Sequence, residues 1–173
     1  MQLPIELILA AYPQMEAWLS EMQELFPSLF RLSPSKLHLN THYSHAIAVN
    51  GTTQCIQISS NAAVYKKQKT LLIDWAIRQG KPRWSDNIKL WVASECLAVR
   101  PENIMLIILA VHPSEPTTKL TINWDSEKHK KASRQVIKLL RKGEEQADGI
   151  DTIVPITNTR LIPSIAEIKE IAI

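Results

Sequence analysis

After Pro13, apolar residues recur at three- and four-residue spacing: Met15, Trp18, Leu19, Met22, Leu25 and Phe26. Glu16, Glu21 and Glu24 fall off that stripe. The spacing predicts an amphipathic helix that Pro13 opens and Pro27 stops. From Leu37 the period changes to two. Leu37, Leu39, Thr41 and Tyr43 alternate with His38, Asn40, His42 and Ser44, the pattern of a half-buried strand. Residues 46–49 lead into Asn50-Gly51, the pair favoured by two-residue hairpin turns, and a return strand is expected over Thr52–Ile58. Lys66, Lys67 and Lys69 precede a third strand over Leu71–Ile77, which Gly80-Lys81-Pro82 ends. A helix from Ser85 or Asp86 to Val99 follows, capped by one of those two residues. Ile104–Val111 is the most hydrophobic run and the expected central strand, and Lys119–Trp124 is a shorter edge strand beyond Pro113 and Pro116. Asp125 or Ser126 then caps a helix to about Lys142, which Gly143 closes. Hairpins plus one strand–helix–strand crossover predict an α/β protein with a mixed β-sheet of about four or five strands flanked by helices.

Composition narrows the function classes. Hydrophobic residues make up 45% of the 173, and charged residues 21%, the balance of a globular domain with a sizeable core. The longest apolar run suits a buried strand and is far too short to span a bilayer, and the start of the chain lacks the basic stretch of a signal peptide. A cytoplasmic protein that binds no membrane is the expectation. Cys55 and Cys96 form no disulfide framework or metal pattern and are read as reduced core residues. The four glycines, Gly51, Gly80, Gly143 and Gly149, make no phosphate loop or GxGxxG, so no nucleotide cofactor is expected.

The most pointed feature is Asp74, at the end of a hydrophobic strand and before Trp75, Ala76 and the Gly80-Lys81-Pro82 turn. Residues 71–84, LLIDWAIRQGKPRW, resemble the PD-(D/E)XK nuclease superfamily of the RecB type, where an acid after apolar residues precedes an aromatic, a lysine and a Lys-Pro turn. Asn87-Ile-Lys-Leu-Trp91 stands where those nucleases carry Gln-x-x-x-Tyr. Residues 101–106, residues 122–129 and the opening LPIELILAAYPQMEAWL also look like their counterparts, so the likeness spans most of residues 3–142. It implies a restriction-endonuclease-like core over 1–142, with N-terminal helices at 5–26, a hairpin at 37–59 and a core at 68–142. Residues 143–173 form a small C-terminal extension with an acidic start, a strand at Thr152–Ile156 and a helix opened by Pro163.

The same resemblance shows what has been lost. Phosphodiester hydrolysis in that family needs carboxylates on adjacent strands to hold Mg²⁺ and a lysine to activate water. Asp74 matches the second acid, but the first-acid candidates, Gln54 and Gln57, are neutral amides, and the lysine position is Ala76. Asp74, Gln57 and Ala76 thus read as a vestigial catalytic set, beside a vestigial pocket of Trp75, Asn87 and Trp91, with no metal and no cofactor. Lys89, with Glu95 one and a half turns on, is the alternative source of a catalytic lysine; Mg²⁺ belongs only to that alternative. For Asp74 alone, capping a turn or pairing with Arg78 or Lys81 is the plainer expectation.

The second feature is the helix from Asp125, which carries Lys128, Lys130, Lys131, Arg134, Lys138, Arg141 and Lys142 against Glu127. Lys131, Arg134, Lys138 and Arg141 are spaced three, four and three, one stripe that could follow phosphates or could be a solvated outer face. Lys128 and that stripe are the nucleic-acid-binding candidates, for DNA or RNA. His38, His42 and His45 would make a metal face on a helix, but on a strand His38 and His42 share one side and His45 the other, so zinc is not expected. Ser59, Ser60 and Ser94 have no histidine at motif spacing, so no hydrolase triad is expected. Trp75, Trp84 and Trp91 could stack on unpaired bases, though such tryptophans more often build core.

Three readings follow. The first is a catalytically inactive nuclease-fold subunit, a nucleic-acid-binding or architectural part of a repair, defence or other processing complex. The second is an active Mg²⁺-dependent nuclease using Asp74 and Lys89. The third is a protein-binding adaptor that docks on a larger partner through residues 143–173 or the Met-rich first helix.

Overall fold

The computed structural model describes residues 10–78 and 80–147, with side chains as far as residue 141. Helix α1 (Pro13–Leu25) and the short α2 (Pro27–Phe30) precede three strands, β1 (His38–Val49), β2 (Thr52–Lys66) and β3 (Lys69–Ile77). Helix α3 (Trp84–Cys96) crosses over to β4 (Ile104–His112), then come β5 (Glu115–Asn123) and α4 (Ser126–Ala147). The strands lie in one sheet in the order β1-β2-β3-β4-β5. The β3–β4 pair is parallel and the other pairs antiparallel, so the sheet is mixed, as the strand–helix–strand pattern requires.

Helices cover both faces. On one, Leu72, Leu106, Ile108 and Ile122 bury against Leu90, Trp91 and Ala93 of α3 and against Ala132 and Val136 of α4. On the other, Ala62, Val64, Ile73, Ile107 and Leu109 bury against Leu29 of α2, with Met22 and Phe26 packed beside them. Burial on both sides explains why Ile104–Val111 reads as an unbroken apolar run rather than an alternating one. It is the most buried strand, but β3 rather than β4 stands in the middle of the sheet.

The Asn50-Gly51 turn forms as predicted, with both residues at positive φ (47° and 82°), the conformation a tight hairpin needs and Gly supplies freely. The return strand does not end at Ile58: β2 runs to Lys66 and turns through Lys67 and Gln68, with Lys66 paired to Lys69. Sequence propensity hid this, because Ser59, Ser60 and Asn61 are poor strand formers, and the pairing of Ser59 and Ser60 with β1, followed by that of Ala62–Lys66 with β3, overrides them. Asn40, also at positive φ, interrupts the early pairing of β1, and Leu39 is 60% exposed instead of facing the core; the inward alternation starts at Tyr43.

Helix α3 starts at Trp84, earlier than expected, and ends at Cys96. Asp86 does cap it, from inside the first turn, by accepting the Arg83 backbone N–H at 2.7 Å. Asp125 caps α4 by accepting the Lys128 N–H at 2.8 Å. Gly143 does not close α4: the helix continues to Ala147, carried through one unfavourable glycine by the strong helix formers around it. Cys55 and Cys96 are free but exposed, not core residues, because they sit on an open hairpin face and at a helix end. Among the described residues no helix is long and apolar enough to cross a membrane. The expected helical residues 5–9, the strand at 152–156 and the helix from Pro163 lie outside the described residues.

Candidate functional site

Asp74 projects from β3 towards α3 and is 8% exposed. The β2–β3 register pairs Ala62 with Ile73, so one rung further on, Asn61 comes opposite Asp74. The facing residue on the adjacent strand is therefore Asn61. Gln57 lies further out along the hairpin, paired with Ser44, and lines a shallow groove of about 460 Å³ with His42, Tyr43, Ile58 and Ser59. Gln54 pairs with Ile47, still further from Asp74. Neither glutamine stands opposite Asp74. Counting back through the two-residue turn finds the residue that does: antiparallel partners that include Lys66 and Lys69 place 61 against 74.

The Asp74 carboxylate is satisfied on both oxygens. Oδ1 accepts the Asn61 backbone N–H at 3.1 Å and lies 2.9 Å from the Ser60 hydroxyl. That hydroxyl is also 3.1 Å from the Ala62 and Ile73 carbonyls, and its single proton serves one of the three at a time. Oδ2 binds the ammonium of Lys89, which reaches across from α3. The Asn61 side-chain oxygen is itself taken, accepting the Trp75 N–H at 3.0 Å.

Lys89 thus meets Asp74, whereas Ala76, two residues further along β3, offers no polar group. Arg78 does not pair with Asp74: its Nη2 donates to both oxygens of Asp86, at 3.0 and 3.2 Å, in a buried ion pair that ties the end of β3 to the start of α3. Glu95 is not part of the Asp74 site either. It accepts from His129 Nε2 at 2.7 Å, and His45 Nε2 stands 4.0 Å from its other oxygen.

The arrangement does not suit Mg²⁺. A divalent cation would have to displace an ammonium from a lone carboxylate, and the facing residue supplies a neutral amide already engaged with the backbone. Among the described residues no three histidine, cysteine or carboxylate side chains converge to hold a metal. His42 is exposed and the His38 ring lies tilted against Tyr65, with centroids 4.9 Å apart.

The three tryptophans separate. Trp91 is core, 3% exposed, while Trp75 and Trp84 are 44% and 50% exposed. Asn87 is half-buried on α3. On α4, Lys131, Arg134, Lys138 and Arg141 are all exposed along one side, opposite buried Ala132 and Val136. Lys128 stands apart from them: its ammonium is held by Asp125 at 3.1 Å and the Asn123 carbonyl at 2.8 Å. No described acidic side chain pairs with the four cations of the stripe.

No protein-family model matches this chain, and no curated protein matches it. Among solved structures it is similar to a "Putative exonuclease" from Eubacterium rectale, with a TM-score of 0.51 and 11% identity over 81% of this chain and 55% of that one. A second similar structure is that of SSO0001, with a TM-score of 0.48 and 12% identity over 82% of this chain and 60% of that one. The chain spans between half and two thirds of the length of these two proteins. At such identity the likeness to the Eubacterium rectale structure is one of fold: a mixed five-stranded sheet with flanking helices, as in a restriction-endonuclease-like core.

Proposed function

We propose that this chain is a nuclease-fold domain that does not cleave and instead holds nucleic acid on the outer face of α4, as part of a larger nucleic-acid-processing assembly. The observation that carries the first half is the state of Asp74, whose carboxylate is neutralised from within by Lys89 and faced by Asn61 instead of a second acid. The second half is supported by four exposed cations in one row without described acidic partners, spaced to follow a phosphate backbone. A fold shared with a nuclease makes nucleic acid the natural polyanion for such a row, although fold alone does not fix function.

The test is a salt-titrated gel shift with DNA and RNA, single- and double-stranded, each duplicated with Mn²⁺. Binding that weakens steeply with salt while every strand stays intact is the expected result. Cleavage that disappears in Asp74→Ala overturns the inactive reading. It would favour the alternative, a metal-dependent nuclease whose lysine is Lys89 on the helix.

A further inference from the structure

Trp84 is the first residue of α3, and its indole is half exposed although it sits beside a well-packed core. It forms one wall of a groove of about 460 Å³ closed by Gln135, Lys138 and Leu139 of α4. Leu139 is also half exposed, so two large apolar surfaces stay open to water side by side. Both flank Lys138, a member of the cationic stripe.

We propose that this groove seats an unpaired nucleobase stacked on Trp84, so that the nucleic acid held along α4 is single-stranded. This rests on the nucleic-acid reading above and specifies its substrate class. A flat, weakly polar ring is what an exposed indole binds well, and every base offers a π-face for it. Lys138 sets a cation at the rim, where the phosphate of the same nucleotide would lie, and Arg134, one turn before it, continues the charge. Gln135 adds one amide donor group and one acceptor for a base edge. A duplex would leave the face of Trp84 unused, because its bases are already stacked on each other and have no free π-face to offer. Charge complementarity and the apolar floor therefore select the same occupant.

The experiment uses the full chain with oligo(dT), oligo(U) and a duplex of equal length, at several salt concentrations. Variants are Trp84→Ala, Trp84→Phe and Lys138→Ala. Single strands are expected to bind more tightly than the duplex, and Trp84→Ala to lose about 5- to 150-fold in affinity for them. Trp84→Phe should keep most of that affinity. Lys138→Ala should reduce the salt slope by about 0.7 on a single strand. Saturating oligonucleotide should quench part of the emission of the five tryptophans, and that part should vanish in Trp84→Ala. Equal binding of single strands and duplex, with Trp84→Ala unchanged, overturns the stacking site and leaves the cationic stripe standing. No binding of any strand at low salt overturns the nucleic-acid reading itself. Comparing oligo(dT) with oligo(U) separates a DNA from an RNA preference within the same chemistry.

Discussion

The Asp74 neighbourhood and the outer face of α4 treat charge in opposite ways. Around Asp74 each charged group has an internal partner: Lys89 answers Asp74, Asp86 answers Arg78, and the remaining carboxylate oxygens take backbone or hydroxyl protons. On α4, Lys131, Arg134, Lys138 and Arg141 point outward with no described acid among them. Charge satisfied inside the fold serves geometry and is closed to a metal or substrate. Charge left in water costs the fold little and remains free for a polyanion. On the reading proposed above, the sheet has given up its chemistry while a helix keeps a surface for nucleic acid.

The sharpest way to break the comparison is to remove a charge that the fold uses. Asp86→Ala should cost about 3–5 kcal/mol, since it strands the buried Arg78 guanidinium and uncaps α3 together; urea unfolding measures it. Lys89→Met should cost less, about 1–3 kcal/mol, because Asp74 keeps two other donors and the pair is only partly buried. Asn61→Asp tests the site from the other side. A second carboxylate facing Asp74 should lower the melting temperature in chelator and make it rise on adding Mn²⁺, a response the wild-type protein should lack. Arg134→Ala with Lys138→Ala should leave stability within about 0.5 kcal/mol while weakening nucleic-acid binding and flattening its salt dependence.

The smallest effect should come from the exposed carboxylates that seat α4. The Ser126 hydroxyl hydrogen bond to Glu102, and the Lys128 N–H bond to Asp125, hold both carboxyls below the usual carboxylate range. A carboxylate with a depressed folded-state pKa adds stability above its unfolded value and loses it as pH falls through the folded one. The contribution is thus present at neutral pH and is lost in acid, as the folded-state carboxylates take up their protons. Glu102→Gln and Asp125→Asn should each flatten the acid side of a stability–pH profile slightly.

Much of the scaffold was legible because burial imposes period. The strand–helix–strand run from Leu71 to Val111 could be read from its apolar pattern, and Asn50-Gly51 from backbone chemistry alone. The outward stripe of α4 followed from its three- and four-residue spacing. The site was harder. Asp74 and Lys89 could be named, but the residue facing Asp74 depended on a register that polar Ser59, Ser60 and Asn61 disguised as a loop. Arg78 found Asp86 instead of Asp74, a choice made by the direction in which α3 leaves the sheet and invisible to local pattern. The exposure of Trp84 was equally hidden, since composition counts a tryptophan as core until packing says otherwise.

His129 gives α4 a further property. Trp124 Nε1 lies 3.4 Å from His129 Nδ1 and can only donate, which fixes Nδ1 as acceptor and Nε2 as the N–H turned to Glu95. One imidazole thus bonds α4 at once to the end of the sheet and to α3, with Ser94 Oγ at 3.3 Å as well. A helix fastened this way should not fray separately from the domain. Its amide protons near His129 should exchange at the rate of the sheet, as one cooperative unit. The cationic face would then be a rigid ruler of fixed spacing, and any flexibility in recognition would belong to the strand laid along it.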